Sequence, residues 1–177
     1  MPSSDQNTLA MTYAAEGRKL EVNLFWQRSL FYWGFIGAAF VAYGVLFKET
    51  DRELALVIAC FGFVCSVVWT LGNRGSKYWY EAWEQKVQSL EGNVLGQSLF
   101  HRVEPVKDPG WLSGCRYSVS KLTIALSDFT VAVWAVLAFK AWTQPGDGLC
   151  LNASALLLTG TILYVGLILW FCRSKAA

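Results

Sequence analysis

The sequence predicts an all-α integral membrane protein: four transmembrane helices arranged as two hairpins, plus amphipathic helices on the cytoplasmic side. Three observations carry that fold class. Of 177 residues, 54% are hydrophobic and only 16% charged, where soluble domains carry roughly a quarter charged residues. Four runs reach the length of about 20 apolar residues that a hydrocarbon core of ~30 Å requires at ~1.5 Å rise per residue. The basic residues are also distributed unevenly between the segments that join those runs. Together these features exclude a disordered tail protein, a secreted disulfide scaffold and a nucleic-acid binder, for which a net charge of +2 is too small.

The elements follow in order. Residues 1–28 form an N-terminal amphipathic segment in which 8–28 reads as a helix, with Leu9, Tyr13, Leu20 and Leu24 near one face and Arg18 and Lys19 placed for the membrane surface. It leads into the first span, 29–47. The charged residues of 48–53 then make a short external loop, which favours an antiparallel return through the second span, 54–72. Residues 73–121 form a second cytoplasmic segment holding a helix at 76–91. The third span is 122–142, the external loop 143–152 contains Pro145, Gly146 and Gly148, the fourth span is 153–171, and 172–177 is a cytoplasmic tail. All four prolines fall outside the spans.

Orientation follows from the placement of Lys and Arg. Twelve of the fifteen lie in 1–28, 73–121 and the C-terminal tail, against Lys48, Arg52 and Lys140 on the other side. Cytoplasmic loops collect positive charge, so both termini and the long middle segment are placed in the cytoplasm. Trp26, Trp33, Trp69, Trp111, Tyr117, Trp142 and Trp170 lie near span ends, where amphipathic rings favour the headgroup zone. The first span follows 28 mostly polar residues and ends in Lys48 and Glu49 rather than a small-residue cleavage site, which makes it a poor signal peptide. Cys60, Cys65 and Cys172 fall within or at the end of spans, Cys115 in the cytoplasm and Cys150 near the outer face, so no disulfide pair is implied. The glycosylation triplet at Asn152 abuts the membrane and carries little weight.

The helix at 76–91 has the clearest periodicity. Trp79, Trp83, Val87 and Leu90 recur at steps of three and four, with Glu81, Glu84, Gln85 and Gln88 mainly elsewhere. This aromatic face is the candidate cytoplasmic interface, resting on the membrane or on a neighbouring protein; its acidic side favours a protein, because anionic lipid repels it. Gly72, Asn73, Gly75 and Ser76 either break the second span and cap a new helix or merely loosen one long helix. From Gly92 to Lys121, glycine and proline interrupt any long helix, and Leu99 to Lys107 reads as a short extended piece.

Order and spacing of several segments resemble the RipA-like family of bacterial inner-membrane proteins, described as octameric. The matching stretches are EVNLFWQRS at 21–29, NRGSKYWYEAWEQKVQSLE at 73–91 and YSVSKLTIALS at 117–127. The resemblance implies a homo-oligomer, an octamer, in a bacterial cytoplasmic membrane. It brings no established catalytic residues.

Asp128 is the formally charged side chain well inside a span, seven residues beyond Lys121 and so ~10 Å from the interface of an upright helix. An acid at that depth is costly and marks a candidate functional site. Ser66 and Tyr164 lie at similar nominal depth, and Ser127 and Thr130 stand beside it on its own helix. The acid serves either as interhelical glue or as part of a conduction path. Gly34, Gly37 and Ala38 give the first span a surface of small side chains suited to close helix packing, within one subunit or between subunits. The one histidine, His101, has no nucleophile motif or metal-ligand spacing around it, so neither catalysis nor a metal or cofactor is expected. The function predicted is a non-enzymatic homo-oligomeric assembly whose cytoplasmic layer mediates self-association or docks a protein; the alternative is an oligomeric channel with Asp128 near its path.

Overall fold

The computed structural model describes residues 4–48, 51–96, 117–143 and 151–172. The expectations for 99–107, His101, Trp111, Cys115, the Pro145 connector and Cys150 fall outside these residues. Every regular element among the described residues is an α-helix: α1 (Ser4–Lys48), α2 (Arg52–Val94), α3 (Val119–Thr143) and α4 (Leu151–Phe171). Each contains a stretch long and apolar enough to cross a membrane.

Segments read separately in the sequence are continuous in the structure. α1 takes in both the N-terminal segment and the first run, and α2 takes in both the second run and the helix at 76–91. The open alternative at Gly72 to Ser76 is therefore decided in favour of one helix. Its cause is packing. Asn73 and Ser76, which have the chemistry of capping residues, are buried on the inner face of α2. Each interior glycine costs a helix about 1 kcal/mol relative to alanine, an amount that burial of neighbouring turns offsets. Helix ends fall instead where local chemistry provides them. Asp51 caps α2 by accepting a hydrogen bond from the Leu54 N–H at 3.1 Å. Just beyond α2, Gly96 takes a positive φ of 66°, the left-handed conformation that lets a chain leave a helix.

Two compact units divide the chain. One comprises Met1–Gln27 with Gly72–Thr123, the other Arg28–Leu71 with Ile124–Ala177. In the second unit, buried residues follow steps of three, four and seven: Ser29, Ile36, Ala39 and Tyr43 on α1; Ala55, Ala59, Gly62, Ser66 and Trp69 on α2; Ser127, Thr130, Trp134, Ala138 and Ala141 on α3. Such spacing lets helices mesh along a shared seam. In hydrocarbon, where no hydrophobic drive separates helix from lipid, association depends on close packing and interhelical hydrogen bonds. Small residues on α2 supply the first: the Trp134 indole lies directly over Gly62. Tyr43 and Trp69 supply the second, the Tyr43 hydroxyl donating to the Leu137 carbonyl at 3.0 Å and Trp69 Nε1 to Ser29 Oγ at 3.2 Å.

Trp69, expected near a span end, is buried inside the second unit, with Trp33 edge-on against it at 6.2 Å. Its indole N–H finds an acceptor in Ser29, inside the same unit.

The first unit is built on a different chemistry. Ala14 and Phe25 of α1 and Val87 of α2 are buried, while Leu9, Tyr13 and Leu20 are exposed. Gly17 allows α1 to lie against the Trp83 ring, whose Cε2 stands 2.9 Å from where an added Cβ would be. Arg18 Nε lies 3.8 Å from Glu84 Oε2, and Tyr80 and Ser120 share a hydrogen bond at 3.1 Å.

Candidate functional site

The residues singled out in the sequence fall into three groups. Around Asp128, the polar side chains are largely engaged within their own helices. Ser66 Oγ donates to the Gly62 carbonyl at 2.8 Å, Ser127 Oγ to Ile124 at 2.8 Å and Thr130 Oγ1 to Leu126 at 2.8 Å. Such back-bonding satisfies a hydroxyl in hydrocarbon without a water-filled cavity. All three are buried on the α2 and α3 seams. Asp128 itself is half-buried and engaged by its surroundings, and Tyr164 is exposed on α4. Ser127, Thr130 and Ser66 are thus seam residues, one or two turns along from the contact between Trp134 and Gly62.

Gly34, Gly37 and Ala38 are all exposed, and among the described residues nothing lies within 4 Å of a Cβ added at Gly34, Gly37 or Gly44. At 100° per residue, Gly34, Ala38, Val41 and Val45 centre on the direction opposite the buried residues Ile36, Ala39 and Tyr43. Val41 and Val45 are 70% and 50% exposed. This face is shallow along its middle and flanked by the exposed rings of Phe31 and Phe35 on one side and Trp33 and Phe40 on the other. The exposed surface of α4 carries the larger side chains of Leu156, Ile162, Leu163, Leu167 and Trp170, with Gly160 and Gly166 exposed among them.

The third group is the α2 face at 79–90. Val87 is buried, Trp83 and Leu90 are half-buried, and Trp79 is exposed beside Tyr78. The inner face of this part of α2 runs through Asn73, Ser76, Val87 and Glu91, all buried, with Tyr80 and Trp83 between them. Trp79 lies 100° away from Tyr80 and so outside the seam. Beside Tyr80 the unit forms an open cleft of about 310 Å³ with Arg18, Glu84, Ser118 and Ser120 in its wall. Lys77 and Glu81 pair on the outer surface.

Sequence reading missed the two residues on which the close contacts turn, Gly62 and Gly17. Their signal was present in the pattern: Ala55, Ala59, Gly62 and Ser66 repeat small residues at steps of four and three, which marks a helix face made for close approach. Among the described residues no group of three or more His, Cys, Asp or Glu side chains is placed to hold a metal ion.

With this geometry in view, comparison with known proteins gives one result. The sequence model of the octameric membrane protein family (8xMP) matches residues 10–143. The match takes in α1, α2 and α3 almost entirely and stops before α4. No curated protein and no solved structure matches the chain.

Proposed function

We propose, starting from the fact that the chain belongs to the octameric membrane protein family, that it is a non-enzymatic scaffold whose copies associate through the small-residue face of α1. The observation that carries this reading is the empty space at Gly34 and Gly37, opposite the face by which α1 packs in its own chain. Small residues let membrane helices approach closely, and α1 places Gly34, Gly37 and Ala38 within two turns, where α4 spaces Gly160 and Gly166 six residues apart. The family name supports self-association, and the open α1 face supplies a surface for it.

In this reading the spans of α1 and α2 form one hairpin and those of α3 and α4 the other, in a bacterial inner membrane with both termini cytoplasmic. The bias of basic residues supports that orientation. The unit of Met1–Gln27 and Gly72–Thr123 then forms a cytoplasmic layer, and the exposed Tyr78 and Trp79 are its surface for self-association or for docking a protein. Asp128 acts as glue between helices. The back-bonded hydroxyls of Ser66, Ser127 and Thr130 support a closed centre over an aqueous path.

The test is flux and mass together. Purified protein reconstituted in liposomes is expected to give no ion flux above empty vesicles while retaining its oligomeric mass. Reproducible flux abolished by Asp128→Asn would replace this reading with a channel.

A further inference from the structure

We propose that the open cleft beside Tyr80 binds a zwitterionic phosphodiester, the headgroup chemistry of phosphatidylethanolamine. The phosphate meets Arg18 and the neighbouring hydroxyls, and the ammonium meets Glu84. The cleft lies wholly within the unit of Met1–Gln27 and Gly72–Thr123.

Charge narrows the choice first. Arg18 and Glu84 both line the cleft, their side chains are 36% and 30% exposed, and Arg18 Nε stands 3.8 Å from Glu84 Oε2. One cation and one anion therefore face the same opening. A simple anion would meet Glu84 as a repelling neighbour, and a simple cation would meet Arg18. A ligand that carries both signs uses both residues.

Hydroxyl protons point to an acceptor on that ligand. Tyr80, Ser120 and Ser118 form a chain of hydroxyls with each link at 3.1 Å. A hydroxyl has one proton to give, so two links use two of the three protons and leave one O–H to donate outside the chain. Phosphate oxygens are strong acceptors, and a guanidinium beside them adds a charge-assisted bond.

The order of groups sets the orientation and favours a lipid as the source. With spans starting at 29 and 122, as read from the sequence, Trp26 and Ser120 stand about 3–5 Å from the hydrocarbon along their helices. A headgroup layer is about 5–8 Å thick on each side of the core. Trp26, in the cleft wall and 39% exposed, is an amphipathic ring suited to that depth. On α2, Glu84 lies one turn beyond Tyr80, about 6 Å farther from the second span. Hydroxyls near the hydrocarbon and a carboxylate farther out match the order of phosphate and ammonium in the headgroup.

This inference rests on the spans as read from the sequence and not on how copies assemble. Its test is native mass spectrometry of the full-length protein in mild detergent, titrated with phosphatidylethanolamine or phosphatidylglycerol of the same acyl chains. The assembled parent is expected to take up one phosphatidylethanolamine per chain, several-fold more tightly than phosphatidylglycerol. Glu84→Gln, which keeps the shape and removes the charge, should abolish that preference. Tyr80→Phe combined with Ser120→Ala should weaken uptake of both lipids several-fold, with circular dichroism of all variants matching the parent. Glycerophosphoethanolamine, which has the same groups without tails, separates the sources: it competes only in large excess against a lipid site and at equal concentration at a site for a soluble diester. Equal uptake of the two lipids by the parent, or a preference that survives Glu84→Gln, would overturn the proposal. So would uptake by dissociated chains alone, since copies of the protein would then cover the cleft.

Discussion

Gly62→Ala tests the packing of the second unit with one carbon. A Cβ at position 62 would meet three atoms of the Trp134 ring, the most distant of them, Cε3, at 2.7 Å. Carbon atoms rest at about 3.5–4.0 Å, so the indole would have to retreat by about 1 Å. It has little room. Trp134 is fully buried, stacked on Phe40 at 4.4 Å and edge-on to Tyr43 at 6.1 Å. Overpacking of this sort costs about 1–3 kcal/mol, and this site, with a rigid ring as the obstacle, falls at the upper end. The gain in helix propensity from glycine to alanine returns about 1 kcal/mol. The net expectation is destabilisation by about 2 kcal/mol, read as a fall in the thermal unfolding midpoint in mild detergent. Adding Trp134→Phe should recover most of the loss, because Phe withdraws the fused ring and Trp134 Nε1 has no hydrogen-bond partner among the described residues to forfeit. Non-additivity of the two changes is the diagnostic. An unchanged or raised midpoint for Gly62→Ala would refute the claim that Trp134 is seated on Gly62.

Further consequences are open to the same kind of measurement. Ser29→Ala removes the acceptor of Trp69 Nε1 and should lower stability by about 0.6–2 kcal/mol, the range for hydrogen bonds between membrane helices, with a shift in tryptophan emission; no change in either would show that the bond contributes nothing. Gly17→Leu should disturb the unit containing Trp83, seen as faster amide hydrogen exchange in 5–27 and 73–94, while exchange in α3 beyond residue 124 stays as in the parent. Arg18→Ala should cost less than about 1 kcal/mol, since the Arg18 and Glu84 side chains are about a third exposed and solvent screens their attraction. If Asp128 is glue, Asp128→Leu should lower the unfolding midpoint and Asp128→Asn should retain most of it, with neither variant changing ion flux.

Legibility of this chain divided along physical lines. The four apolar stretches were readable because a bilayer imposes one length on every helix that crosses it, and charge is the direct mark of where the crossing ends. Continuity through Gly72 to Ser76 was not readable: glycine, asparagine and serine have breaker and cap chemistry in isolation, and only burial of Asn73 and Ser76 against neighbouring turns makes them interior helix residues. The burial of Trp69 was not readable either, because its hydrogen-bond acceptor, Ser29, lies forty residues away in the chain. At the candidate sites, the small residues of α1 and α2 look alike in sequence. The structure separates them, since Gly62 is covered by Trp134 and Gly34 and Gly37 by nothing among the described residues. The periodicity at 79–90 reads as a face for the membrane or a neighbouring protein, whereas Val87 is buried and Trp83 half-buried within the chain's own first unit and Trp79 is exposed.

The most direct test of the assembly proposed here is the native mass of the detergent-solubilised complex, measured for the parent chain and for the double variant Gly34→Leu, Gly37→Leu. A Cβ added at either position meets no atom of the described residues within 4 Å, so each subunit should keep its helix content and its thermal transition. The account predicts an eightfold mass for the parent and a collapse to monomers or small oligomers for the variant. An intact octamer in the variant would contradict the assignment of this α1 face as the contact between copies.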